Sequence, residues 1–181
     1  MGHQAAMTET YTTPARLLHW LIAAFVLALI PVGFALKFDL VPDSTHRAIA
    51  ALHISVGLTV LALMAARLIV RASAPHPALP AALTARDQLI ARLGHAGLYA
   101  LLLLMPVSGV IFIAAHGHAI SWFGLVQLPA LFSTEHHRIG KLFALCHLVG
   151  GIALTLLIAA HLYALHKHAR QGVRLLPRMW R

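Results

Sequence analysis

Four long apolar stretches, residues 17–36, 48–70, 93–115 and 142–165, dominate the chain, and short polar segments separate them. A hydrocarbon core of about 30 Å needs roughly 20 apolar residues in a helix, so each stretch is long enough to cross a membrane. Together they take up nearly the whole sequence and leave no room for a separate soluble domain. The expected fold class is all-α, an integral membrane four-helix bundle forming one domain over residues 1–181. The first stretch does not read as a cleavable leader. Only Arg16 precedes it, it carries His19-Trp20, and it runs into Pro31 and Lys37 without a small-x-small site.

The intervening segments have their own signatures. Residues up to about Pro14 form a polar lead, and Pro42-Asp43 marks a turn within 38–45. The second connection is proline-rich around Pro75, His76, Pro77 and Pro80, then becomes a short amphipathic run with Arg86, Asp87 and Arg92. Pro106 is expected to kink the third helix, which membrane helices tolerate when neighbours satisfy the freed carbonyl. The longest outward segment, 116–140, contains Ser121-Trp122-Phe123-Gly124-Leu125, whose aromatics suit a membrane interface.

Composition agrees with the pattern. The chain is 60% hydrophobic and 10% charged with a mean hydropathy of +0.80, whereas globular chains are about a quarter charged. The net charge of +9 would fit a nucleic-acid binder, but its placement argues for topology instead. The N-terminal side holds one cation (Arg16), the second loop four (Arg67, Arg71, Arg86, Arg92) and the tail five (Lys167, Arg170, Arg174, Arg178, Arg181), against four on the opposite loops (Lys37, Arg47, Arg138, Lys141). The positive-inside rule then puts both termini in the cytoplasm, with the cations also meeting anionic lipid headgroups. No nucleic-acid motif accompanies them.

The chemistry lies in the histidines. His147 and His161 share one helix, fourteen positions and so about 21 Å apart, and lie within roughly 40° of the same face. In the antiparallel bundle His19 falls at the depth of His161 near the cytoplasmic surface, and His53 at the depth of His147 near the outer one. An ionisable side chain inside a membrane is expensive and marks function by default. A single such histidine is as readily a hydrogen-bonded packing residue, but four at paired depths are hard to explain by packing. The pairs His19/His161 and His53/His147 are therefore the candidate axial ligands of two haems, one near each membrane face. Gly57 and Gly151, each four residues after a histidine, would leave bare patches for a flat macrocycle, as would Ala23 after His19. Small residues also serve ordinary helix contact. With no Cys-x-x-Cys-His, the haem would be non-covalent and b-type. Cys146, the only cysteine, reads as a small buried residue.

Other histidines compete less strongly. His95 opens the third helix and reads as an interfacial or quinone-proximal residue, with replacement of His19 or His161 as the alternative. His76, His116, His118, His136, His137, His166 and His168 fall in loops or helix ends and are expected to be solvated. A zinc site at His116/His118 or His136/His137 would lack further ligands.

Laid along these helices, several short motifs occur in a specific order: Leu18-His19-Trp20, His53 with Gly57, Arg67, Gly94-His95 running into Tyr99, and Met105-Pro106-Val107-Ser108-Gly109. Trp122-Phe123-Gly124, the His147/His161 pair and Leu176-Pro177-Arg178-Met179 follow. Over essentially its whole length the chain resembles the bacterial cytochrome b561 family. The resemblance implies a four-helix protein of the bacterial inner membrane carrying two b haems on the same four histidines. It also implies that Arg67, with Arg71, lies near haem propionates. The tail departs from the family pattern: it is shorter, lacks the acidic residue, and has Ala169 where a second histidine would stand. The resemblance thus carries no quinone role to that end, and His95, Arg67 and His168 are quinone-site candidates from their cytoplasmic position.

Bis-histidine haems have no vacant coordination position, which leaves electron transfer as the task. Family members resemble superoxide oxidases that reduce ubiquinone. A basic outer rim of Lys37, Arg47, Arg138 and Lys141, with His136 and His137, would steer such an anion, although ordinary interfacial charges look the same. The alternatives are a haem-bearing anchor or relay subunit for a partner dehydrogenase or hydrogenase, and a non-redox membrane protein with packing histidines.

Overall fold

Helix boundaries follow local chemistry in the computed structural model, which describes residues 10–73, 77–80 and 82–180. Helix α1 (Thr13–Lys37) begins with a proline in its first turn, where the missing N–H costs nothing, and ends as Asp39 turns the chain at φ 54°. Helix α2 (Asp43–Ser73) follows Pro42 and has an acidic first turn and a basic last one, both matched to the helix dipole. Helix α3 (Ala85–Ala115) is capped by Thr84, whose hydroxyl accepts from the Asp87 N–H at 3.1 Å and donates to the Asp87 carboxylate at 2.6 Å. That cap makes the amphipathic run at Arg86–Arg92 the first turns of α3 itself, continuous with the apolar stretch. Helix α4 (His137–Arg170) stops just before Gly172, at φ 84°.

Two elements lay outside the sequence reading. Strands β1 (Ser121–Trp122) and β2 (Val126–Gln127) form a small antiparallel hairpin, and a single turn, α5 (Pro177–Trp180), closes the tail. The proposed lead up to Pro14 lies largely outside the described residues, as do His76 and Arg181.

The four long helices run up and down, packing as α1–α2, α2–α3 and α3–α4. The chain is a multi-pass, all-α membrane bundle, as expected. One end carries the start of α1, the end of α2, the start of α3 and the end of α4 (the terminal end); the other carries the α1–α2 turn and the β-hairpin (the hairpin end). The buried core is small: Ile22, Val26, Val60, Met64 and Leu154. Large apolar side chains such as Leu27, Ile69, Leu104, Leu156 and Tyr163 face outward, where acyl chains replace water. At the terminal end, α5 folds back on α1: the Trp20 indole donates to the Met179 carbonyl at 2.8 Å and meets the Trp180 ring edge-on.

Candidate cofactor site between the helices

At the hairpin end, His53 and His147 face each other, their ring centroids 6.3 Å apart. Their helices, α2 and α4, are not among the closely packed pairs, so the imidazoles reach across an interior gap. Two imidazoles on one metal ion, with bonds of about 2.0–2.1 Å and roughly 1.1 Å more to each ring centre, span about 6.2–6.4 Å. The observed separation fits that requirement.

A socket on α3 fixes His147. Its Nδ1 lies 3.0 Å from the Met105 carbonyl and 3.0 Å from the Ser108 hydroxyl, which itself donates to Met105 at 2.8 Å. A neutral ring protonated at Nδ1 serves both contacts and leaves the Nε2 lone pair free for a metal. Gly109 makes room, since a Cβ there would meet His147 Cε1 at 3.1 Å. The motif Met105-Pro106-Val107-Ser108-Gly109 is thus a holder for one imidazole. Met105 also locks α3 to α4, its sulfur seated where a Cβ on Gly150 would fall at 2.8 Å. The bare patch expected at Gly151 is covered by the Met105 methyl, 3.6 Å from the Cβ position.

His53 is held differently. Gly33 of α1 clears space for it, a Cβ there meeting His53 Cε1 at 3.1 Å. Its Nδ1 is buried with no hydrogen-bond partner. Such a group costs about 1–3 kcal/mol, which binding at the free Nε2 would help to offset. One turn along, Gly57 has nothing within 4 Å of its Cβ position, and Gly94 on α3 is equally open. Orphaned nitrogen, free Nε2, matching span and open glycine together fit a flat, iron-bearing group between α2 and α4.

The terminal end gathers His19, His95, His161 and Arg67. His95 and His161 pack edge-on with centroids 5.5 Å apart, and His19 lies within electrostatic reach of both and of Arg67. The His95 Nδ1 is committed to the Ala91 carbonyl at 2.6 Å. Arg67 donates from Nε to the Tyr99 hydroxyl at 3.0 Å and from Nη1 to the Ala15 carbonyl at 2.9 Å. Arg67 and Arg71 both lie over the Tyr99 ring, at 5.7 and 5.5 Å.

Three sequence expectations are corrected. His168 is buried, not solvated: its Nδ1 meets the Gln171 side chain at 3.3 Å, beside the Asp87–Lys167 ion pair and apart from the His95–His161 contact. Cys146 is exposed, because its neighbour His147 takes the inward face and the next residue back turns about 100° away. His116 is half-buried, against Gly140 and 6.2 Å from the His137 ring. Among the described residues no group of three or more His, Cys, Asp or Glu side chains is placed to hold a metal ion. The sequence reading also missed Ser108, Gly109 and Gly33. For the first two, their place one helical turn from Met105 in a quoted motif was a usable signal; for Gly33 there was none.

Comparison with known proteins agrees with this architecture. The family model for prokaryotic cytochrome b561 matches residues 10–181. A curated relative, cytochrome b561 homolog 2 of Escherichia coli (strain K12), is 30% identical over 122 residues, 67% of this chain and 65% of that protein. The aligned region thus takes in slightly less than two thirds of the relative's length. Four apolar helices, a histidine pair at metal-bridging distance and a match over nearly the full chain lead to one conclusion: the chain belongs to the prokaryotic cytochrome b561 family, bacterial multi-pass membrane proteins whose family name implies b-type haem.

Proposed function

We propose that the protein is a di-haem membrane oxidoreductase that takes electrons from superoxide at the hairpin end and delivers them to ubiquinone at the terminal end. The observation that carries this reading is the His53–His147 pair: a span of 6.3 Å, with one imidazole oriented by Met105 and Ser108. His19 and His161 would hold the second haem. His95 is a poorer partner for His161, because 5.5 Å is shorter than two metal–imidazole bonds in line require. The Arg67–Tyr99–Arg71 stack supplies positive charge beside His19, where propionates would be neutralised.

Bound b-type iron would supply one-electron chemistry without offering an open coordination position. The chain's residues do the rest. Met105 and Ser108 hold the His147 proton at Nδ1, Gly33 and Gly109 let the two rings approach, and the apolar helix faces exclude water. With both termini cytoplasmic by the positive-inside rule, the hairpin end faces the periplasm. There, His46 and Arg47 line an open cavity of ≈ 630 Å³ with Asp43 and Ser44. Arg47, Lys37, Arg138 and Lys141 would draw in an anion.

The test is reduction of the purified protein by superoxide at graded ionic strength, followed by reoxidation with ubiquinone. The expected result is haem reduction that slows as salt screens the rim, and reoxidation by quinone. No reduction by superoxide, together with a stoichiometric dehydrogenase or hydrogenase co-purifying, would instead identify a relay subunit.

A further inference from the structure

The β-hairpin lies far below the level at which a solvent loop would sit. Its attachment to α2 is polar and specific. The Ser55 hydroxyl accepts from the Phe123 N–H at 3.0 Å and contacts the Ser121 carbonyl at 3.4 Å, while the Trp122 indole donates to the Thr59 hydroxyl at 3.1 Å. These contacts fix the depth of the hairpin tip along α2. Ser55 stands eight residues past Arg47, the last cation of that helix before its apolar run, which is about 12 Å at 1.5 Å per residue. A second path gives the same answer. Lys141 marks the same surface on α4, His147 is six residues below it, about 9 Å, and its partner His53 is two residues above Ser55, about 3 Å more. Thr59 is a further turn down. Both routes put the tip about 12 Å below the level of Arg47 and Lys141, a few ångströms deeper than His53 and inside the hydrocarbon core.

Irregular backbone survives at that depth only if its polar groups are satisfied by protein. The hairpin meets this condition for part of its backbone, while the buried Ser121 hydroxyl has no partner among the described residues. Leu128 N–H donates to the Ile120 carbonyl at 2.9 Å and Leu125 N–H to the Trp122 carbonyl at 3.0 Å, while Ser55 takes the Phe123 N–H. The turn places Phe123 and Gly124 at φ 52° and 74°, and the phenylalanine tolerates this left-handed geometry because Ser55 holds its amide. On the outside, Leu125 is 87% exposed, Val126 50% and Phe123 48%. On α2, Leu52, one turn before Ser55, is likewise exposed at 56%.

We propose that this segment is a re-entrant hairpin, clamped to α2 by Ser55 and Thr59, whose tip at residues 123–126 docks among the acyl chains of the bilayer. The loop between α3 and α4 is then part of the membrane wall of the bundle. It shields the two α2 hydroxyls from lipid and leaves the electron donor to approach by another face.

The test places a nitroxide at Leu125→Cys in a Cys146→Ser background, in the full haem-loaded chain reconstituted into phosphatidylcholine vesicles. Collision with dissolved oxygen is compared with collision with a water-soluble nickel chelate. Leu104→Cys, on the lipid face of α3, and Leu40→Cys, in the α1–α2 turn, are the references. The oxygen-to-nickel ratio at Leu125 should lie nearer that at Leu104 than that at Leu40 and exceed the latter several-fold. A ratio equal to that at Leu40 would overturn the proposal. Should the Leu125 variant fail to assemble, Val126→Cys decides by the same criterion. Ser55→Ala with Thr59→Val should lower the ratio towards the Leu40 value; no change would overturn the clamp.

Discussion

The two ends of the bundle hold their histidines by different means. At the hairpin end, His53 and His147 stand alone, 6.3 Å apart, each given room by a glycine from a neighbouring helix, with one ring locked through Met105 and Ser108. At the terminal end three histidines share the space with Arg67, the nearest pair is 5.5 Å apart, and the arginines are braced on Tyr99. The first site is set by shape, and the second is crowded with cations and polar donors. A site set by shape should be intolerant of added volume; one rich in charge should respond most to removal of its charges.

The largest effects should come from deleting the proposed ligands. His147→Ala is expected to leave one haem per chain in place of two, and His161→Ala to remove the other, read from pyridine haemochrome content. His19→Ala should behave as His161→Ala does, while His95→Ala keeps both haems; the reverse order would move the second ligand to His95. Next in size is added volume. Gly109→Val or Gly33→Val forces a side chain against an imidazole at 3.1 Å, so the hairpin-end haem should be lost or partly high-spin in absorbance spectra while the terminal-end haem is intact. Equal damage at both ends would break the contrast.

Smaller changes sharpen it. Ser108→Ala removes one hydrogen bond from the His147 socket, about 0.5–1.5 kcal/mol, which for a one-electron couple is about 20–60 mV in one of two midpoint potentials. Arg67→Gln should shift only the other potential, downward, as positive charge beside it is lost. Least of all, Asp87→Asn breaks a solvent-screened ion pair with Lys167 and should leave the melting temperature nearly unchanged.

Much of this arrangement is legible in the sequence, and the reason is depth. Helical rise converts the positions of His53 and His147 into similar heights below a membrane surface, so their approach can be expected without coordinates. Rotation about each helix axis and contact between helices are less accessible. Cys146 reads as buried because it adjoins His147, yet that adjacency is what turns it outward. Gly57 does leave open space, whereas Gly151 is filled by Met105 from another helix, a distinction no spacing rule contains. His95 has a helix-start position that says nothing of its approach to His161. The hairpin escapes for a related cause: its signal, Phe123-Gly124 at left-handed angles, is short, and its depth depends on two hydroxyls more than sixty residues away.

The measurement that bears most directly on the whole account is a count of haem per chain in protein purified from haem-replete cells, by pyridine haemochrome. Two b haems per chain is the predicted result, one for each histidine pair. A single haem would contradict the two-site account, and colourless protein would contradict the redox function itself.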